Sequence, residues 1–279
     1  MPGPERLLIL GCGYAGAAIA RLARARGLAV VANVRSDARA SALRVEGFEV
    51  LQRAALDETV ADDVSKETHV VIAFPPDGST DARVATGLGD ASRITYLSST
   101  GVYGSHRGVV DDETPVATLA PGDRGAKILA AEDVYRTAGA TVLRCPALYG
   151  PERGLHVRVV SGEHRIPGDG TRFLSRIHVE DLAQFVLADL PRGNTMVVGD
   201  LEPAPHGDVV RFICESYGVP MPPFVPLESV HESLRADRRV DASRALAASG
   251  ITLRYPSYRD GMSRTATGYL QASKRIVAK

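Results

Sequence analysis

The chain has 279 residues, with 33 basic and 33 acidic side chains and therefore no net charge. Hydrophobic residues make up 44% and charged residues 24%, enough to bury a core without staples, which excludes disordered, collagen-like and disulfide-scaffold chains. A neutral chain also lacks the basic excess of a dedicated nucleic-acid binder.

No run approaches the roughly 20 consecutive apolar residues of a spanning helix, so no membrane is expected as a partner. Met1–Arg6 leads directly into Leu7, without the basic region, long apolar core and cleavage site of a secretory signal. Cys12, Cys145 and Cys214 are isolated, with no CxxC or CxxH spacing. Each reads as a small core residue in the reducing cytoplasm, and no metal site is expected.

In chain order, Leu7–Leu10 reads as a strand, Tyr14–Arg26 as an alanine-rich helix and Ala29–Val34 as a second strand. Ala38–Glu46 is a helix, Phe48–Leu51 a third strand, His69–Phe74 a fourth and Ile94–Leu97 a fifth. Lys127–Ala138 is a helix and Thr141–Arg144 a strand. Continuous apolar strands spaced by helices indicate a parallel sheet buried on both faces. Residues 150–175 are rich in Gly, Pro and Arg and read as loops with one or two short elements. Val179–Leu190 is an amphipathic helix, Thr195–Val198 a strand, Pro205–Tyr217 a helix, and Gly218–Pro226 an irregular proline-rich connector. Ser273–Lys279 reads as a frayed tail. The expected fold is α/β. A Rossmann-type doubly wound parallel sheet over residues 1–150 precedes a smaller substrate-binding region over 151–279, of which about 176–200 packs back on the sheet.

Gly11-Cys12-Gly13-Tyr14-Ala15-Gly16 matches G-x-G-x-x-G between a strand and a helix, the context in which the motif binds a dinucleotide. Gly11 permits the tight turn, Gly13 the approach of a pyrophosphate, and Gly16 the packing of helix on strand. Amides at the helix start then meet the phosphates. An NAD site places a carboxylate at the end of the second strand. Here Ala32-Asn33-Val34-Arg35-Ser36 has none, and Arg35 is suited to clamp a 2′-phosphate. NADP is the expected cofactor, with NAD as the alternative.

The fifth strand runs into Tyr96-Leu97-Ser98-Ser99-Thr100-Gly101-Val102-Tyr103-Gly104. With the glycine-rich turn, this resembles the extended or atypical short-chain dehydrogenase/reductase superfamily, the NAD(P)-dependent epimerase/dehydratase group. Arg144-Cys145-Pro146-Ala147-Leu148-Tyr149-Gly150-Pro151, Arg176-Ile177-His178-Val179-Glu180-Asp181-Leu182-Ala183 and Tyr255-Pro256-Ser257-Tyr258-Arg259-Asp260-Gly261 are similar to further motifs of that group, so the resemblance spans Leu7 to Gly261. It implies that Ser99 bonds the substrate oxygen and that Lys127 is the lysine of the Tyr-x-x-x-Lys pair. It further implies cofactor contacts from Phe74, Pro75, Ser98, Lys127 and Pro146, and substrate contacts from Thr100, Tyr149 and Arg176, with Tyr149 alternatively a structural part of its turn and Arg176 and His178 alternatively packing or capping residues at a helix start.

At the place of the paired tyrosine stands Asp123. A tyrosine beside an ammonium has its pKa lowered toward neutrality and can exchange a proton, whereas an aspartate there stays ionised. Asp123 is therefore expected to pair with Lys127 or to lie exposed, and Tyr103 either to take over proton transfer or to pack near the cofactor phosphates. Only 18 residues separate Phe74 from Arg93, room for one short helix, so a monomer or weak homodimer is expected. The leading functional expectation is an NADP-dependent oxidoreductase acting on a carbonyl or secondary alcohol of a small polar metabolite. Alternatives are epimerase or dehydratase chemistry, and a dinucleotide-binding sensor or scaffold without turnover.

Overall fold

The computed structural model describes residues 3–231 and 234–265. The expected tail Ser273–Lys279 lies outside them. Seven strands form one parallel sheet: β1 (Arg6–Leu10), β2 (Ala29–Val34), β3 (Glu49–Gln52), β4 (Thr68–Ile72), β5 (Arg93–Ser99), β6 (Thr141–Cys145) and β7 (Thr195–Val197). Their order is β7-β6-β5-β4-β1-β2-β3, a doubly wound Rossmann-type arrangement whose direction of winding reverses between β1 and β4.

The apolar strand runs feed both faces because successive side chains alternate. Leu7 and Ile9 of β1 join a core with Ile19 and Ala20 of α1 (Tyr14–Ala25), Leu43 of α2 (Asp37–Val45) and Phe185 and Val186 of α6 (Val179–Leu187). Leu8 and Leu10 face the opposite core, with Val84 of α3 (Thr80–Thr86) and Ala131 and Tyr135 of α4 (Arg124–Thr137). All four β1 side chains are fully or almost fully buried, each contributing about 1.5–3 kcal/mol relative to exposure. Deleting one, as in Leu8→Ala, would open a cavity at a cost of roughly 2–5 kcal/mol.

The second half builds a smaller cluster around Tyr149, Ile166, Ile213 and Tyr258. It uses α5 (Leu155–Val160), α7 (His206–Tyr217) and α9 (Tyr258–Met262), with α8 (Ser243–Ser249) lying before α9. Two short parallel pairings went unread in the sequence, Arg107–Val110 with Asp237–Val240 and Arg176–His178 with Ala147–Tyr149. Inside the proline-rich connector, Phe224 and Val225 pair with Ile166 and Pro167, so that stretch is not wholly irregular. Pairing by pairs of residues far apart in sequence leaves no local period to detect. The fourth strand stops at Ile72, short of the expected Phe74. Among the described residues no helix is long and apolar enough to cross a membrane.

Candidate active site at the carboxyl edge of the sheet

All seven strands are parallel, so β1, β2, β4, β5 and β6 deliver their C-terminal residues to one edge. Ligands of open α/β sheets bind outside that edge, where the strand order reverses. Gly11 leaves β1 with φ +83°, and a Cβ there would stand 2.8 Å from the Phe74 nitrogen. A Cβ on Gly16 would meet Ile9 at 3.1 Å, which is how α1 lies close on β1. Gly13 differs from both. It is exposed, and the nearest atom to an added Cβ is a backbone oxygen 3.9 Å away. Gly13 is also the N-cap of α1, and no side chain caps that helix. Tyr14 and Ala15, half-buried, follow as its first two residues, while Cys12 is buried with its thiol pushed up to about 11 by burial.

At the end of β2, Asn33 is buried and its amide donates to the Leu51 carbonyl at 3.2 Å. Arg35 is exposed just beyond the strand, and Ser36 caps α2 by accepting from the Arg39 amide. The sequence reading missed Arg39. Its Nε donates to the Cys12 carbonyl at 3.1 Å and its Nη2 to the Gly13 carbonyl at 2.8 Å, so a guanidinium grips the glycine-rich turn. No motif spacing signals this, because α2 brings Arg39 back over a turn 26 residues earlier.

At the next strand ends, Phe74 and Pro146 are half-buried and Pro75 is exposed. Ser99 ends β5, and its hydroxyl accepts from the Gly101 amide at 3.1 Å, turning the chain into a single helical turn over Thr100–Tyr103. Thr100 is buried at the start of that turn. Lys127 is exposed in the first turn of α4. Asp123 is the N-cap of that helix and accepts from the Ala120 amide at 3.0 Å. Of the two expectations for Asp123, the ion pair with Lys127 is absent among the described residues and the side chain lies exposed, its carboxylate turned back to its own loop.

Four expected site residues lie in the core instead. Tyr103 is fully buried, its hydroxyl donating to the Asp111 carbonyl at 2.9 Å and accepting from Arg144 Nη1 at 3.1 Å. Burial raises its pKa, and its hydroxyl is engaged on both sides inside the protein, which argues against it as proton donor. Ser98 donates to the buried Glu132, itself held by Arg144 at 2.7 Å, so its hydroxyl faces α4 and not the cofactor edge. Tyr149 is buried, with its hydroxyl on the Ser257 carbonyl at 3.3 Å and no room for more, because a Cβ on Gly261 would lie 2.5 Å from it. Arg176 is buried between the Leu174 carbonyl, at 2.8 Å, and Asp200, at 3.9 Å, where burial raises the Asp200 pKa to about 7. Neither Tyr149 nor Arg176 lines an open substrate site.

The three distal motifs are therefore structural and interlock. His178 caps α6 through Nδ1, accepting from the Glu180 amide at 3.2 Å, with its ring between Tyr149 and Tyr255. Asp181 accepts from the Arg254 and Tyr255 amides at 2.8 and 2.9 Å.

A nicotinamide dinucleotide fits the residues at this edge. The cradle at Gly13 is open where a pyrophosphate would lie, above an uncapped helix start. Two arginines flank the end of β2, where a carboxylate would disfavour a 2′-phosphate.

No protein-family model and no curated protein matches the chain. Among solved structures, a conserved protein of unknown function from Silicibacter pomeroyi is 28% identical, with a TM-score of 0.81 over 96% of this chain and 99% of that one. UDP-glucuronic acid 4-epimerase from Bacillus cereus, in complex with NAD, is 16% identical, with a TM-score of 0.75 over 95% and 99%. dTDP-glucose 4,6-dehydratase from Bacillus anthracis, also with NAD, is 17% identical, with a TM-score of 0.76 over 98% of each chain. What this chain shares with those NAD-bound enzymes is the Rossmann-type fold.

Proposed function

We propose that this chain binds a nicotinamide dinucleotide along the carboxyl edge of its sheet, with NADP preferred. With it the chain acts as an epimerase or dehydratase, removing a hydride from a small polar metabolite and returning it within one turnover. The observation that carries the reading is Gly13: of the three motif glycines it alone faces open space, directly above the uncapped start of α1. The fold likeness along nearly the whole chain supports internal hydride return over the net oxidoreductase first expected.

When bound, the dinucleotide supplies hydride chemistry. The amides opening α1 hold its pyrophosphate, and Arg35 with Arg39 hold the 2′-phosphate. The Ser99 hydroxyl would orient the substrate oxygen beside it, and the Lys127 ammonium at the same edge would favour the alkoxide left when that oxygen gives its proton to solvent, the proton returning from solvent when the hydride is given back. Thr100 supports the Ser99 turn, while Phe74, Pro75 and Pro146 shape the wall that keeps water from the nicotinamide.

A fluorescence titration with NADPH and NADH tests the cofactor. Tight binding of neither overturns the proposal. Turnover is tested by incubating the protein with NADP and candidate hydroxylated or keto metabolites and following product by NMR. Internal return gives product without accumulating NADPH, whereas stoichiometric NADPH marks an oxidoreductase. Tyr103 in the core and Asp123 on its own loop favour one other reading, a dinucleotide-binding protein without turnover. Cofactor binding with no reaction across the metabolite panel would select it.

A further inference from the structure

We infer that Arg153 is a further ligand of the dinucleotide's pyrophosphate, delivered by a turn that lies on the first residue of α1. The inference rests on the proposed dinucleotide reading of that helix start. After Tyr149 the chain folds back through a tight bridge. The Gly150 amide donates to the Arg153 carbonyl at 2.8 Å, and the Arg153 amide to the Gly150 carbonyl at 3.1 Å. The turn is seated on Tyr14, so closely that a Cβ on Gly150 would collide with the Tyr14 hydroxyl. The Arg153 guanidinium carbon stands 5.4 Å from the centre of the Tyr14 ring.

Tyr14 sits between Gly13 and Ala15, in the segment whose amides open α1. Arg153 is thereby held at the positive end of a helix, an electrostatically unfavourable place for a cation. Arg153 is exposed and forms no ion pair among the described residues. Of the carboxylates near Tyr14, Glu180 pairs with Arg254 at 2.8 Å, and Glu152, adjacent in the chain, forms no pair with Arg153. Arg21, the other nearby cation, is neutralised by Glu46 at 2.7 Å. A guanidinium seated on the ring of the first residue of α1, with no carboxylate paired to it among the described residues, is complementary to a diphosphate, which a planar fork can bond at two oxygens.

The pyrophosphate is common to NAD and NADP, and this separates Arg153 from Arg35. Arg153→Gln should weaken NADH and NADPH by the same factor, about tenfold or more for a lost charged hydrogen bond, whereas Arg35→Gln should weaken NADPH alone. Tyr14→Phe keeps the seat and should bind as wild type. Tyr14→Ala should lose affinity for both cofactors, to about the Arg153→Gln level. Arg153 is exposed, so its variant should melt at the wild-type temperature. Wild-type affinity of Arg153→Gln for both cofactors at low salt would overturn the inference, and a loss confined to NADPH would overturn it too. Failure of the wild-type protein to bind either cofactor would instead remove the dinucleotide reading and this inference with it.

Discussion

Arg144 Nη1 donates to the Tyr103 hydroxyl at 3.1 Å while the same guanidinium grips Glu132 through Nε and Nη2. These contacts tie β6, α4 and the turn after β5 into one buried network, completed by Ser98. Ser99, which follows Ser98, is thereby held at the edge of the sheet by a residue it does not touch.

Tyr103 is accordingly a stability residue. Tyr103→Phe leaves the Asp111 carbonyl and one Arg144 donor unsatisfied in the interior, at a cost of about 1–3 kcal/mol. Once a substrate is found, kcat/KM of this variant should stay near wild type, while Lys127→Ala should lower it sharply. Urea denaturation and steady-state kinetics on the two variants separate the roles. A Tyr103→Phe enzyme that is fully stable and inactive would contradict this assignment.

Gly13→Val should abolish dinucleotide binding and leave the melting temperature nearly unchanged, because its side chain enters open space where the proposed pyrophosphate would lie. Gly261→Ala should do the reverse. Its Cβ would press on the Tyr149 ring at 2.6 Å, lowering the melting temperature with cofactor affinity retained. Cofactor titration and thermal melting on both proteins check the contrast.

Arg35→Ala should weaken NADPH by about 1–3 kcal/mol, the worth of a charged hydrogen bond, without affecting NADH. Arg39→Ala should weaken both cofactors, NADPH more, because Arg39 also braces the turn through the Cys12 and Gly13 carbonyls. Equal losses for the two cofactors in Arg35→Ala would exclude a 2′-phosphate role.

The protein should lose stability on mild acidification. His164 and His206 are buried with Nε2 atoms 2.8 Å apart and stacked rings, a contact that accommodates one proton between neutral imidazoles. Burial holds their pKa values down to about 4 and about 3, below the unfolded value of about 6.5. Between those limits the unfolded chain takes up more protons, so stability is full above about pH 6.5 and falls as pH drops toward 4. Each such group adds a slope approaching 1.4 kcal/mol per pH unit, a rough upper figure. His69, His156 and His178, whose pKa values burial also lowers, add in the same direction, while Asp200, raised by burial to about 7, opposes them over the same range and is outnumbered by the five histidines. Urea midpoints from pH 7.5 to 4.5 should show the decline, and His206→Gln should make it shallower.

The β–α alternation, the glycine-rich turn and the unoccupied acid position after β2 are all local patterns. Leu7–Leu10 and, apart from Asn33, Ala29–Val34 are apolar because a central parallel strand has no solvent face, so the doubly wound sheet was legible from residues alone. Gly11 and Gly16 were readable too, Gly11 because its positive φ favours glycine and Gly16 because α1 approaches Ile9 too closely for a side chain. The parts decided by tertiary structure are those where a polar side chain could face either way. Nothing in Ser98-Ser99 says that one hydroxyl turns inward to Glu132 and the next outward to the sheet edge. That choice depends on where α4, 26 or more residues on, places its acid. Tyr103, Tyr149 and Arg176 carry groups suited to catalysis or binding, and each is satisfied instead by partners distant in sequence, as a buried polar group must be. Sequence sets the period of burial along each element, whereas the partner that satisfies a buried donor is set only when the elements pack.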